Sequence, residues 1–132
     1  MMFENKIKIA LADDHEEMLY ILKEILEPEF EVVAAVRNGS VLLKTVKNFQ
    51  PDVVIVDINM PEMSGLEVTR RILNEDINAR VILLTAHKDR SIVEKGFLAG
   101  AKGFVLKLTA DEDLVDAVNE VINGNRYVSP SI

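Results

Sequence analysis

Apolar residues recur along the chain in short runs that are separated by longer stretches with a different spacing. The run at Val53–Val56 is continuously apolar and mostly β-branched. This pattern is typical of a strand that is buried on both faces of a parallel sheet. The sequence therefore predicts β-strands at the apolar runs, which span residues 7–12, 30–36, 53–56, 81–84 and 103–106.

The stretches between these runs have apolar residues three and four positions apart, which is the spacing of one helix face. Met18, Leu22 and Ile25 share such a face in the first stretch, and Leu114, Val118 and Val121 do so near the C-terminus. The helical pattern extends over approximately residues 15–27, 40–48, 65–74, 90–99 and 114–122. The sequence therefore predicts a helix after each strand.

Strands that alternate with helices form a parallel sheet with helices on both faces, because the crossovers are right-handed. A closed barrel of eight strands needs about 250 residues, so this sheet is expected to be open. The predicted fold is α/β and flavodoxin-like, a (βα)5 sheet with the strand order 2-1-3-4-5. Ligands of such sheets bind outside the carboxyl ends of the strands, at the switch point between strands 1 and 3.

The composition suits one domain with a single core. The chain has 132 residues, of which 48% are hydrophobic and 28% charged. Its net charge of −7 disfavours direct binding to nucleic acid, which selects basic surfaces. There is no cysteine, so thiol catalysis and disulfides are excluded. The sequence has no apolar stretch long enough to span a membrane. Met1–Lys8 does not have the pattern of an export signal. A cytoplasmic location is therefore expected.

Domain limits follow from the helix-ending pair Asn123-Gly124. Residues 1–123 are expected to form the domain. Residues 124–132 are expected to be an extended C-terminal tail or the start of an interdomain linker.

Acidic residues follow two strands that the predicted order makes neighbours. Asp13 and Asp14 end strand 1, and Asp57 ends strand 3. Acids after strands often cap the next helix, but three at adjacent strand ends repel one another and favour a bound cation. Oxygen ligands favour Mg²⁺ or another hard divalent ion. Thr85 and Lys107 follow strands 4 and 5, and the whole set suits phosphoryl transfer.

The chain resembles the receiver domain of two-component response regulators over its whole length. The matching residues are Asp13-Asp14, Val56-Asp57-Ile58-Asn59-Met60-Pro61, Ser64-Gly65, Thr85-Ala86 and Gly103-Phe104-Val105-Leu106-Lys107. The resemblance implies that Asp57 accepts a phosphoryl group from a sensor histidine kinase.

Further roles are also implied only by this resemblance. Mg²⁺ would be held directly by Asp14 and Asp57, through water by Asp13, and by the backbone carbonyl of Asn59. The phosphoryl oxygens would be bound by Thr85 and Lys107, and Phe104 would occupy the aromatic switch position. The domain would be regulatory and would turn over no independent substrate.

The sequence departs from many receivers at Leu108, because a proline commonly follows the lysine. The segments Leu108-Thr109-Ala110 and Gly124–Pro130 resemble regulators with a LuxR-type DNA-binding domain. This resemblance implies a transcription factor whose DNA contacts lie in a further C-terminal domain, with homodimerisation on phosphorylation. A stand-alone receiver is the rival interpretation.

Two other classes of protein share parts of this pattern. A haloacid-dehalogenase-like phosphatase also uses an aspartate nucleophile with Mg²⁺, threonine and lysine. Such an enzyme carries a second aspartate two residues after the nucleophile, where this chain has Asn59. The third class is a binding module that acts without phosphorylation, which the intact set of polar residues disfavours.

Overall fold

A single sheet of six parallel strands organises the protein in its computed structural model, which describes residues 6–75 and 77–132. The strands are β1 (Lys8–Ala12), β2 (Glu31–Val36), β3 (Val53–Asp57), β4 (Arg80–Thr85), β5 (Gly103–Leu106) and β6 (Tyr127–Val128). Their order is β2-β1-β3-β4-β5-β6, which confirms the predicted 2-1-3-4-5 arrangement and adds a strand at one edge.

In the part of the chain that the structure describes, five α-helices cover the two faces of the sheet. They are α1 (Glu16–Leu26), α2 (Gly39–Phe49), α3 (Gly65–Asn74), α4 (Arg90–Ala99) and α5 (Ala110–Ile122). Helices α1 and α5 share one apolar cluster with the sheet, whereas α2, α3 and α4 share the other. Because both faces are covered, every residue of β3 is buried, as its continuous apolar pattern predicts.

The pairing of the central strands brings their carboxyl ends to one edge. Ala12 of β1 pairs with Val56 of β3, so Asp13 and Asp57 follow at the same level. Asp57 itself pairs with Leu84 of β4, one residue before Thr85. The switch point predicted from the strand order is therefore the place where the acidic residues meet.

The turn after β3 brings the start of α3 close to the acidic edge. Ser64 caps α3 by accepting a hydrogen bond from the Glu67 N–H, at 3.2 Å. A Cβ atom on Gly65 would lie 2.6 Å from the Asp57 carbonyl oxygen, closer than real Cβ atoms approach. Glycine at this position therefore lets α3 begin directly against the backbone of Asp57.

Within residues 124–132, expected from the sequence to be an extended tail or the start of a linker, a short strand pairs with the sheet and turns lie on either side of it. The Tyr127 N–H donates to the Lys102 carbonyl at 3.0 Å, and the Ser129 N–H donates to the Phe104 carbonyl at 2.9 Å. The short strand β6 thereby pairs with β5. Gly124, with a φ of 89°, ends the preceding helix in the left-handed region that glycine favours.

The chain forms a short 3₁₀ turn at Lys107–Thr109, which includes Leu108. No peptide bond of the described residues is cis. No helix in the described ranges has the length and apolar character needed to cross a membrane. The segment Met1–Lys8, interpreted as lacking an export signal, lies mostly outside the described residues.

Candidate functional site

Three carboxylates lie together at the carboxyl ends of β1 and β3. Asp13 and Asp57 are buried and Asp14 is partly exposed. One ligand atom from each of them, together with one from His15, lies within 4.8 Å of the others. The convergence expected from the strand order is thus present in the structure.

Backbone amides of the adjoining turns orient these carboxylates. The His15 N–H donates to Asp13 Oδ1 at 2.9 Å, and the Asn59 N–H donates to Asp57 Oδ1 at 3.1 Å. Each bond spans two residues, as in the turns that aspartate commonly makes with its own backbone. Asp57 Oδ1 is therefore fixed by its own loop, and Oδ2 faces a different group.

That group is the ammonium of Lys107, which lies between two of the carboxylates. Its Nζ donates to Asp57 Oδ2 at 2.7 Å and lies 3.0 Å from Asp13 Oδ2. The second contact is a close ion pair without hydrogen-bond geometry. Lys107 reaches this position from the end of β5, across β4, with its side chain largely shielded from solvent.

The charges of the site do not balance, since three carboxylates surround one ammonium. Burial raises the pKa of Asp57, and the Lys107 ammonium and the Asn59 N–H only partly offset this effect. Burial acts to lower the pKa of Lys107, but the hydrogen bond to Asp57 and the negative charges of Asp57 and Asp13 outweigh it and raise that pKa. The two pKa values are thus raised for different reasons: burial dominates at Asp57, and the neighbouring carboxylates dominate at Lys107.

The residues present fit a hard divalent cation. Asp13 Oδ2 and Asp14 Oδ1 are buried and accept no hydrogen bond. Buried polar atoms are normally hydrogen-bonded, so two such oxygens in one acidic cluster favour a positively charged ligand. The exposed side chain of His15 also reaches this cluster, with Nδ1 at 3.2 Å from Asp14 Oδ1. Its place directly after Asp13-Asp14 was the sequence signal for this proximity.

Thr85 lies at the end of β4 and is buried. Its hydroxyl accepts a hydrogen bond from the His87 N–H at 3.1 Å and contacts the His87 carbonyl at 3.3 Å. The hydroxyl is therefore engaged with its own loop in this state. Asn59, another predicted site residue, is exposed two positions beyond Asp57.

Phe104 is fully buried in β5, beneath α4. A Cβ atom on Gly96 would lie 2.1 Å from Phe104 Cε2, so the ring occupies space that only a glycine on α4 leaves free. Phe97 meets the same ring edge-on, with 6.2 Å between ring centroids. The sequence alone gave Gly96 no role, because a contact between a helix and the strand that follows it leaves no periodic pattern.

Comparisons with known proteins agree with this site and fold. The chain matches the response regulator receiver domain family over residues 9–119. It is 35% identical to the chemotaxis protein CheY of Halobacterium salinarum over 115 residues, which cover 87% of this chain and 96% of that protein. The chain therefore belongs to the receiver domain family of two-component response regulators, which is regulatory rather than catalytic.

Other relatives are transcriptional regulators or belong to the LuxR family. The chain is 39% identical over 131 residues to the transcriptional regulatory protein DegU of Brevibacillus brevis, covering 98% of this chain and 56% of that protein. A solved LuxR-family response regulator from Aurantimonas sp. SI85-9A1 superimposes with a TM-score of 0.91 and 32% identity, covering 97% of this chain and 93% of that one. These similarities confirm the predicted LuxR-type subgroup. The chain spans little more than half the length of the first curated relatives that it matches.

Proposed function

We propose that the protein is a phosphorylation-controlled switch and that Asp57 is its acceptor residue. The observation that carries this proposal is the geometry around the Asp57 carboxylate. Lys107 Nζ lies 2.7 Å from Oδ2, and one buried carboxylate oxygen each of Asp13 and Asp14 lies nearby without accepting a hydrogen bond. The donor would be a phosphohistidine on a sensor histidine kinase, as family membership supports.

In the transfer step, an Asp57 carboxylate oxygen attacks phosphorus while the bond between phosphorus and the histidine nitrogen breaks. The kinase histidine leaves with the bonding electron pair, and Asp57 becomes an acyl phosphate. The Lys107 ammonium, already in contact with Asp57, would then bind the arriving phosphoryl oxygens and stabilise the negative charge that develops on them in the transition state.

A divalent cation such as Mg²⁺ would be held by Asp14 and Asp57, by Asp13 through water, and by the Asn59 backbone carbonyl. When bound, the ion would neutralise negative charge on the phosphoryl group beside the three carboxylates. The carboxylates that hold it bear the surplus negative charge of the site, which disfavours a second anion unless a cation accompanies it.

The switch itself would run through Thr85 and Phe104. The Thr85 hydroxyl is engaged with the His87 backbone, and a phosphoryl group on Asp57 would compete for it. Movement of Thr85 would change the space next to Phe104 and the surface of α4, β5 and α5. The phosphoryl group can act only through its different affinity for the two arrangements.

The output would be transcription, exerted through a LuxR-type DNA-binding domain beyond residues 1–123. Residues 124–132 would lead into the connection between the two domains. Phosphorylation would promote a homodimer, which matches a two-fold protein to a two-fold operator. We place this activity in the cytoplasm, where sensor kinases present their phosphohistidine. Reading the genomic frame past Ile132 separates this output from a stand-alone receiver.

The chemical test is acetyl phosphate labelling with Mg²⁺, followed by mass spectrometry of the intact protein and its peptides. One phosphoryl group is expected, on Asp57, and Asp57→Asn should abolish the label. Asp52→Asn is the matched control, because Asp52 is an exposed carboxylate near the other end of the same strand. Full labelling of Asp57→Asn, or full labelling of the parent in excess EDTA, would refute the proposal.

A further inference from the structure

The outer edge of β5 is completed by the C-terminal tail rather than left to solvent. The Tyr127 and Ser129 amides donate to carbonyls of Lys102 and Phe104, at 3.0 and 2.9 Å. These bonds lie on the side of β5 that faces away from β4. The backbone of β5, which Lys107 directly follows, is therefore held from both sides.

The last of these contacts uses a side chain. The Leu106 N–H donates to Ser129 Oγ at 3.0 Å, and Ser129 is 1% exposed. Leu106 is buried as well, so water does not readily replace the hydroxyl. A buried amide without a partner is strongly disfavoured. The serine hydroxyl is thus the group that satisfies the final amide of β5.

Leu106 directly precedes Lys107, whose ammonium contacts Asp57 and Asp13. We propose that Ser129 is a positioning residue for Lys107, and that it fixes the end of β5 from which the lysine reaches the acceptor carboxylate. This inference rests on the proposed function of Asp57 and Lys107. It assigns the tail a part in phosphoryl acceptance, although Ser129 is 72 residues from Asp57 in the chain.

Neighbouring contacts hold the serine in place. The Arg126 guanidinium lies 4.5 Å from the Phe97 ring centroid, over α4. The Tyr127 side chain packs against the core cluster shared by α1 and α5. Beyond the serine, the Ile132 N–H donates to the Ser129 carbonyl at 3.0 Å and closes a turn. The hydroxyl is therefore presented to Leu106 by a segment anchored on both sides of it.

The test compares Ser129→Ala, which removes the hydroxyl, with Ser129→Thr, which keeps one. Ser131→Ala is the matched control, since Ser131 is exposed in the same tail. Three quantities are measured for each protein: the acetyl phosphate labelling rate, the Mg²⁺ affinity, and hydrogen exchange of the Leu106 amide. A displaced catalytic group can cost up to about 100-fold in rate. We expect labelling of Ser129→Ala to slow about tenfold, with faster exchange at Leu106 and no loss of Mg²⁺ affinity, because a displaced ammonium competes less with the ion for Asp57 and Asp13.

The separation between Mg²⁺ affinity and labelling rate is decisive, because the metal ligands lie on β1, β3 and their loops rather than on β5. Labelling restored toward the parent rate in Ser129→Thr, with Ser131→Ala unchanged, would support the inference. A parallel fall of labelling and Mg²⁺ affinity would overturn it, since Ser129 would then act on the whole fold. So would a parent-like labelling rate in Ser129→Ala. If the parent itself takes no label, the proposed function fails and this inference fails with it.

Discussion

Replacing Asp57 by asparagine should stabilise the fold at neutral pH in the absence of divalent cations. The ligand atoms of the acidic cluster lie within 4.8 Å of one another, so each repulsion on Asp57 is about 3.5 kcal/mol at an effective dielectric constant of about 20. The attraction to Lys107 Nζ at 2.7 Å is about 6 kcal/mol on the same basis. The two repulsions therefore roughly cancel the attraction, and the cost of burying the charge of Asp57, which is the main cause of its raised pKa, is left without compensation.

We therefore expect Asp57→Asn to raise the free energy of unfolding by about 1–2 kcal/mol, or the Tm by about 3–6 °C for a domain of this size. The sign agrees with the pKa of Asp57, which folding raises above its ordinary value of 3.8. Because the pKa of Asp57 is raised by folding, its protonated carboxyl contributes stability to the parent. That contribution is fully present below pH 3.8 and is lost as the pH rises through the folded-state pKa of Asp57. The advantage of the variant should therefore be largest at pH 7 and should vanish near the acid end.

The assay is thermal and guanidinium unfolding in EDTA, at about pH 7, which lies above the ordinary range of carboxyl pKa values, and at about pH 4, which lies within it. Glu94→Gln is the control, since it makes the same change from carboxylate to amide at an exposed position of α4. That control should leave stability nearly unchanged. Lower stability of Asp57→Asn at pH 7, or a gain that does not depend on pH, would refute the argument from surplus charge.

Three further outcomes are expected. Mg²⁺ should raise the Tm of the parent but hardly that of Asp14→Ala, because binding stabilises only a fold that holds the ion; equal increases would exclude Asp14 as a ligand. Gly96→Ala should lower the free energy of unfolding by about 1–3 kcal/mol in guanidinium, because the new methyl group meets Phe104; a neutral change would show that the ring has room. Asn59 and His87 lie two residues after Asp57 and Thr85, where they would flank a water molecule that attacks the phosphoryl group, so changing either should alter the dephosphorylation rate severalfold in a phosphoryl-decay assay; unchanged rates in both variants would show that neither acts on that water.

The strands and helices could be predicted because their patterns are local and long enough to repeat. Val53–Val56 is buried on both faces, and that burial forces a continuous apolar run. The meeting of Asp13, Asp14 and Asp57 followed from strand order alone, since parallel strands end at one edge. The atomic distances in the site did not follow, because they depend on how far side chains reach across neighbouring strands.

Other features left too little signal in the sequence. The strand at Tyr127–Val128 has two residues, which is shorter than any period that alternation can reveal. The last helix starts at Ala110 and not near Leu114, and its first turn carries acids that favour a helix N-terminus. The hydroxyl of Ser129 and the missing side chain of Gly96 act on residues of β5. Only the folded chain brings such partners together.

The short sixth strand also affects how copies of this protein meet. A long, flat edge strand presents a row of unpaired amides and carbonyls that invites another chain to extend the sheet. Here the outermost strand is two residues long, and Pro130 after it has no N–H to donate. Two molecules are therefore poorly suited to join by sheet extension on this side. This edge of the sheet is therefore protected against amyloid-like pairing, whereas the opposite edge is the longer strand β2.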